Sequence, residues 1–163
     1  MILGICDLSG KSGHAAGRQL LDQLYREKTG RTMPEILVTD RGKPYFSDGS
    51  AYFSISHTPK HAFCALSEHN VGIDAEELDR KVNLKLAEKI LSPGEKVQFD
   101  QAQDKRKALL TFWVLKEAAA KLSGQGLQGY PNHTNFSLED PRVTEIAGCL
   151  VAVLEEGEEN HAF

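Results

Sequence analysis

Two spacings in this chain could do chemistry. Glu117 and Lys121 stand four residues apart in LLTFWVLKEAAAKLSG (109–124), so on a helix they share one face, with Trp113 a turn earlier. The ordinary reading of such a pair is a solvated (i, i+4) ion pair worth about 0.3 kcal/mol. Here the preceding turns, Ala108 to Leu115, are apolar almost all the way round except at Thr111, which suits a helix packed on several sides. The pair therefore reads as a carboxylate and an ammonium delivered into a cleft. The second spacing is Val71-Gly72-Ile73-Asp74-Ala75-Glu76. On a strand it turns Asp74 and Glu76 to one face and the apolar side chains to the other. A solvent-facing strand would give the same pattern. Joined to Glu117, however, the two acids make a three-oxygen set. Such a set suits Mg²⁺ beside a phosphorylated substrate, with water and phosphate oxygens filling the octahedron. Lys121 would then serve as a point charge for phosphate.

Other candidates carry less. Ser56-His57 ends a strand just before Pro59; adjacent strand residues point opposite ways and there is no GxSxG, which excludes a Ser–His–Asp hydrolase. His57 and His61 have a zinc-like spacing, yet Pro59 opposes the helix that would align them and no HExxH exists. A Ser56 or His57 donating to phosphate stays open, as does a plain capped turn. GKSG at 10–13 lacks the GxxxxGK[ST] spacing and reads as a loop and helix cap.

The elements that must position these residues follow from periodicity and punctuation. Strands are expected at 2–8, 35–40, 51–56, 61–67 and 71–77, with Arg41 to Pro44 as a turn. Residues 13–28 read as a helix with Leu20, Leu21 and Leu24 inward, and 83–91 as a short one. Ser92-Pro93-Gly94-Glu95 opens another helix with a capping box. The long helix 109–124 stops at Gly124, and strands at 134–138 and 143–154 finish an α+β chain.

At 163 residues this is one compact unit or two small halves sharing a core. No apolar run approaches the ~20 residues of a membrane span, and MILGICDLSGKSG lacks the basic start and long apolar core of a signal peptide. Cys6, Cys64 and Cys149 are scattered, without a CxxC, as expected of buried thiols in a reducing cytoplasm. The net charge of −4 is local: EEGEE at 155–159 holds four of the 23 acids, and the rest balances at 19 against 19. Lys81, Lys85, Lys89, Lys96, Lys105, Arg106 and Lys107 concentrate positive charge between 81 and 107. That is either a solvated helical face or a docking patch for an acidic partner.

Taken together, GKP at 42–44, FSISHT at 53–58, VGIDAE at 71–76 and FWVLKEAAAKLSGQGL at 112–127 resemble the ordered motif set of 4′-phosphopantetheinyl transferases of the surfactin-synthetase-activating type. The resemblance runs from about residue 14 to 140, and WxxKExxxKxxGxGL is its most specific part. It implies an α+β fold of two pseudo-symmetric halves, each a small antiparallel sheet packed on helices. Here these would be residues 1–70 (a shortened, nucleotide-side half) and 71–163 (the metal and catalytic half), with the active site between them. It implies transfer of the phosphopantetheine arm of coenzyme A to a serine of an apo acyl or peptidyl carrier protein, releasing 3′,5′-ADP. By the same resemblance, Asp74, Glu76 and Glu117 would bind Mg²⁺, and Lys121 would contact the phosphates and protonate the leaving group. His57 would reach the 3′-phosphate or pyrophosphate, Ser56 would help line that site, and Lys43 and Pro44 would lie along the adenine nucleotide. Arg18 would border the adenosine end. The serine proton would go to Glu117 or to a water on the metal.

Larger family members carry an extra basic segment before the first helix, where this sequence offers only Lys11, His14 and Arg18. The small trimeric synthases place the GID aspartate near their N-terminus. Here it sits mid-chain, which implies a monomer built as a pseudo-dimer, with a homo-oligomer compensating for the short half as the lesser alternative. A cytoplasmic location is expected, and neither nucleic acid nor membrane is an expected partner. The rival readings are a coenzyme A-binding or regulatory module of the same fold and, more weakly, a diphosphate hydrolase.

Overall fold

In the computed structural model, which describes residues 1–126 and 133–157, two three-stranded antiparallel sheets lie between two helices. The first sheet has the order β1-β5-β4, from Ile2–Asp7 (β1), Tyr52–His57 (β4) and His61–Ser67 (β5). The second has the order β6-β8-β7, from Val71–Glu77 (β6), Val143–Ile146 (β7) and Cys149–Glu155 (β8). Ile36–Val38 (β2) and Pro44–Phe46 (β3) form a separate hairpin. The helices are Gly13–Thr29 (α1), Ala87–Ile90 (α2), Pro93–Gln101 (α3) and Lys105–Ser123 (α4), with a 3₁₀ turn at Leu84–Leu86.

Period-two alternation sorts the side chains into layers. On β5, Cys64 and Leu66 join Leu20, Leu21 and Leu24 of α1 in one cluster, whereas Phe63 and Ala65 join Val71, Ile73, Ala75, Cys149 and Val151 of the second sheet. The other face of that sheet, Leu150, Ala152 and Leu154, packs on Leu115, Ala118 and their neighbours in α4. The order of layers is thus helix, sheet, sheet, helix.

Local chemistry explains the boundaries. Ser12 caps α1 by accepting from the Ala15 N–H at 3.1 Å, and Ser92 with Glu95 closes the capping box of α3. Gly124, at φ 70°, ends α4 in the left-handed conformation that a side chain resists. Several expectations change. Residues 143–154 are not one strand but the hairpin of β7 and β8, turned at Ala147 and Gly148, and Pro44 opens β3 instead of closing a turn. Helix α4 begins at Lys105, a turn before the apolar run, because Asp104 accepts from the Lys107 N–H and starts it there. Residues 134–138 are not a strand: the Thr134 hydroxyl and the Phe136 N–H donate to Glu95, and the Leu138 N–H donates to Gln98, so α3 takes the bonds that a ladder would need. Residues 83–91 split into the 3₁₀ turn and α2.

Candidate active site

Helix α4 crosses the second sheet so closely that β6 needs a glycine. A Cβ on Gly72 would stand 2.1 Å from the Ala118 carbonyl oxygen and 2.6 Å from the Leu122 nitrogen. This approach brings Lys121 onto β6. Its ammonium donates to the Ile73 carbonyl at 2.9 Å, to Asp74 Oδ1 at 3.0 Å and to the Ile55 carbonyl of β4 at 3.3 Å. Asp74 is buried. Its Oδ1 also accepts from Ser56 at 3.3 Å, and its Oδ2 is buried without a hydrogen-bond partner.

The carboxyls feel one another. Burial, offset in part by the Lys121 ammonium, pushes Asp74 up to about 6. Burial first, then the charge of Asp74, pushes the half-buried Glu117 up to about 7. Glu76 adds to both shifts and is itself drawn into an ion pair with Arg80. An orphaned buried carboxylate oxygen among three mutually repelling oxygen donors fits a hard divalent cation. The donors are not gathered to ligating distance. Among the described residues, the group of three potential ligands whose donor atoms all lie within 4.8 Å is instead His61, Glu77 and Cys149.

A cavity of about 260 Å³ opens beside this cluster, and Lys43, Pro44, Ser54, Glu117 and Lys121 are on its wall. The turn between β2 and β3 delivers the first two. The Thr39 hydroxyl accepts from the Lys43 N–H at 3.0 Å, and Gly42 takes φ 91°. The Lys43 ammonium reaches the Asn70 side chain at 2.6 Å and the Leu122 carbonyl near the end of α4 at 2.7 Å. Burial lowers its pKa.

The remaining sequence candidates stand outside that wall. Ser56 is buried behind Asp74, where its hydroxyl accepts from the Ala75 N–H at 3.1 Å. His57 lies at the exposed end of β4 with its ring over Gly13, where a Cβ would meet it at 2.2 Å. Arg18 is half-buried on α1. Trp113 lines a separate groove with Arg80, Val82, Leu86 and Ile90. The end of the WxxKExxxKxxGxGL motif, Leu127, lies outside the described residues.

Sequence reasoning missed Ser54, whose Oγ accepts from the Ile73 N–H at 3.0 Å, and Arg80. Ser54 and Ser56 are two apart, so a period-two reading of β4 could have placed both on one polar face. It also missed Lys116, buried with Glu95 at 2.6 Å, because a Lys beside a Glu on a helix looks solvated.

Residues 70–160 match the family described as the 4′-phosphopantetheinyl transferase superfamily. The chain belongs to this superfamily. It is 34% identical over 88 residues to the 4′-phosphopantetheinyl transferase gsp of Aneurinibacillus migulanus, covering 53% of this chain and 36% of the relative. It is 29% identical over 134 residues to psf-1 of Bacillus pumilus, covering 78% and 57%. With Sfp of Bacillus subtilis it shares 33% identity over 90 residues, covering 53% and 39%. The chain thus spans between 36% and 57% of the length of these superfamily relatives. Among the described residues, no helix is long and apolar enough to cross a membrane.

Proposed function

We propose that this chain transfers the 4′-phosphopantetheine arm of coenzyme A to a serine of an apo acyl or peptidyl carrier protein, with Mg²⁺, releasing 3′,5′-ADP. The observation that carries the reading is the meeting of Glu117 and Lys121 with Asp74, whose Oδ2 is buried without a partner, beside a cavity bordered by Lys43 and Pro44. Superfamily membership and relatives named 4′-phosphopantetheinyl transferase support it.

Asp74, Glu76 and Glu117 would hold Mg²⁺, which when bound supplies charge neutralisation on the diphosphate. Lys43 and Pro44 would border the nucleotide. His57 and Arg18, on β4 and α1, would serve the adenosine and 3′-phosphate end. Ser56 acts one step back, holding Asp74 in place. Glu117, on the cavity wall beside Lys121, is placed to act as the base. It takes the proton from the serine hydroxyl as the serine oxygen bonds to the phosphorus carrying the pantetheine arm. The bond from that phosphorus to the ADP phosphate oxygen breaks. Lys121 lies next to the carboxylates on a fixed turn of α4 and gives the departing phosphate a positive charge or a proton.

The test is the intact mass of an apo carrier protein incubated with this protein, coenzyme A and Mg²⁺. The expected result is a phosphopantetheine-sized gain that vanishes with EDTA and with Glu117→Gln. No gain across several carrier classes, with coenzyme A still bound, would replace this reading with a coenzyme A-binding module.

A further inference from the structure

A second cluster of ligating groups lies on the other face of β6. Glu77 ends that strand on the side of Ile73 and Ala75, opposite to Asp74 and Glu76, and three residues beyond Asp74, about 10 Å along the strand. Its direct cross-strand partner on β8 is Cys149. His61, the first residue of β5, reaches the same point from the first sheet. His61 Nδ1 lies 3.7 Å from Glu77 Oε1 and 4.0 Å from Cys149 Sγ, and all three donor atoms fall within 4.8 Å of one another. A tetrahedral ion with bonds of about 2.0–2.3 Å needs its ligand atoms about 3.3–3.7 Å apart, so a small contraction closes the set.

The surroundings are arranged as they would be around a bound cation. Asp7, the cross-strand partner of His61, has Oδ1 at 3.2 Å from Nε2. A proton on Nε2, held by that carboxylate, leaves the Nδ1 lone pair facing Glu77 and Cys149; a carboxylate behind the imidazole is the usual companion of a metal-ligating histidine. The Thr58 hydroxyl donates to Glu77 Oε1 at 2.7 Å and orients it. Thr58 is itself fixed by the turn into β5, its N–H donating to the His61 carbonyl and its Oγ accepting from the His61 N–H. Cys149 is fully buried and Glu77 nearly so, while the His61 side chain keeps 16% of its surface exposed, the side from which a cation and a water as fourth ligand would enter.

We propose that His61, Glu77 and Cys149 bind a zinc-class divalent cation, which fastens the start of β5 to the ends of β6 and β8. One thiolate, one imidazole and one carboxylate favour a borderline-soft ion such as Zn²⁺ or Co²⁺ over the hard Mg²⁺. Binding breaks the S–H bond of Cys149, forms the metal–sulfur bond and releases the proton to solvent. This site is independent of the proposed transfer chemistry, since it shares no residue with the Asp74–Glu76–Glu117 set.

The experiment loads the full chain with Zn²⁺ or Co²⁺, removes excess metal on a desalting column, and measures metal content, the cobalt absorption spectrum and the melting temperature. The expected result is one ion per chain, a thiolate-to-cobalt charge-transfer band, and a zinc-induced rise in melting temperature that persists in Asp74→Asn, where magnesium does not reproduce it. Cys149→Ala should abolish the band, and Asp7→Asn, at an exposed position, should weaken binding by about 10- to 100-fold. Asp74→Asn should leave zinc binding unchanged. Absence of the thiolate band in the parent protein would overturn the proposal. So would a band that persists in folded Cys149→Ala, or zinc affinity lost in Asp74→Asn. If Cys149→Ala does not fold, undiminished affinity in both His61→Ala and Asp7→Asn overturns it equally.

Discussion

At Glu117, desolvation comes first and the charge of Asp74 second, and together they push the carboxyl up to about 7 from its ordinary 4.5. Asp74 rises to about 6 from 3.8. Between its unfolded and folded values, such an acid binds more protons folded than unfolded, so stability falls as pH rises through that window. The windows are 3.8 to about 6 for Asp74 and 4.5 to about 7 for Glu117. Metal-free protein should therefore melt lower at about pH 8 than at about pH 5 in so far as these two groups decide it. Glu117→Gln should lose transfer by about 100-fold or more. In thermal melts at the higher pH, the same variant should gain a few degrees, because one of the repelling charges is gone, and at the lower pH it should gain nothing. A variant that melts lower at both would mean that Glu117 is held by attraction and not crowded by like charge. Added Mg²⁺ should shrink the pH dependence of the parent protein, since a cation removes the reason for holding protons.

Among the elements, the contact between α4 and β6 decides whether Glu117 and Lys121 meet Asp74 at all. Gly72 sits where that contact is tightest, and the atoms facing it are backbone atoms that cannot rotate away. Gly72→Ala should cost about 3 kcal/mol, the upper end of overpacking penalties, visible as a lowered denaturant midpoint. A cost below about 0.5 kcal/mol would show that helix and strand slide easily. The pair Lys116–Glu95 ties α4 to α3 at full burial. Lys116→Met alone should cost about 3–5 kcal/mol, because it leaves the buried Glu95 carboxylate without its counter-charge, and replacing Glu95 with Gln as well should recover part of that loss. These two positions also show what the sequence made legible. The strand carrying Asp74, the helix carrying Glu117 and Lys121, and both caps follow from periods of 2 and 3.6 and from Gly and Ser punctuation, all local signals. The separation of the acids, with Glu76 drawn to Arg80 and Asp74 to Lys121, depends on which charges tertiary packing brings near. In sequence Ser56 stays open between a phosphate donor and a capped turn; it is buried, because β4 lies against the free edge of β6.

Across the whole molecule, that edge is where the two sheets are joined by specific bonds: Ser54 and Ser56 of β4 accept the N–H groups of Ile73 and Ala75, and Lys121 spans the carbonyls of Ile55 and Ile73. The cavity wall is drawn from β4 and α4, the elements this seam holds together. On the α4 side, Lys85 and Lys89 are exposed next to the apolar groove of Val82, Leu86, Ile90 and Trp113. Apolar floor with a basic rim is the complement of an acidic helical protein, and complementary charge acts mainly on encounter. If the carrier docks there, Lys85→Glu with Lys89→Glu should raise the KM for carrier about tenfold and make the remaining rate less salt-sensitive. Coenzyme A affinity and melting temperature should stay the same, because neither lysine has a buried contact to lose. The decisive comparison is the salt dependence of kcat/KM for the parent and the reversed variant with one carrier. Parallel slopes would place docking elsewhere and leave the lysines as a solvated face.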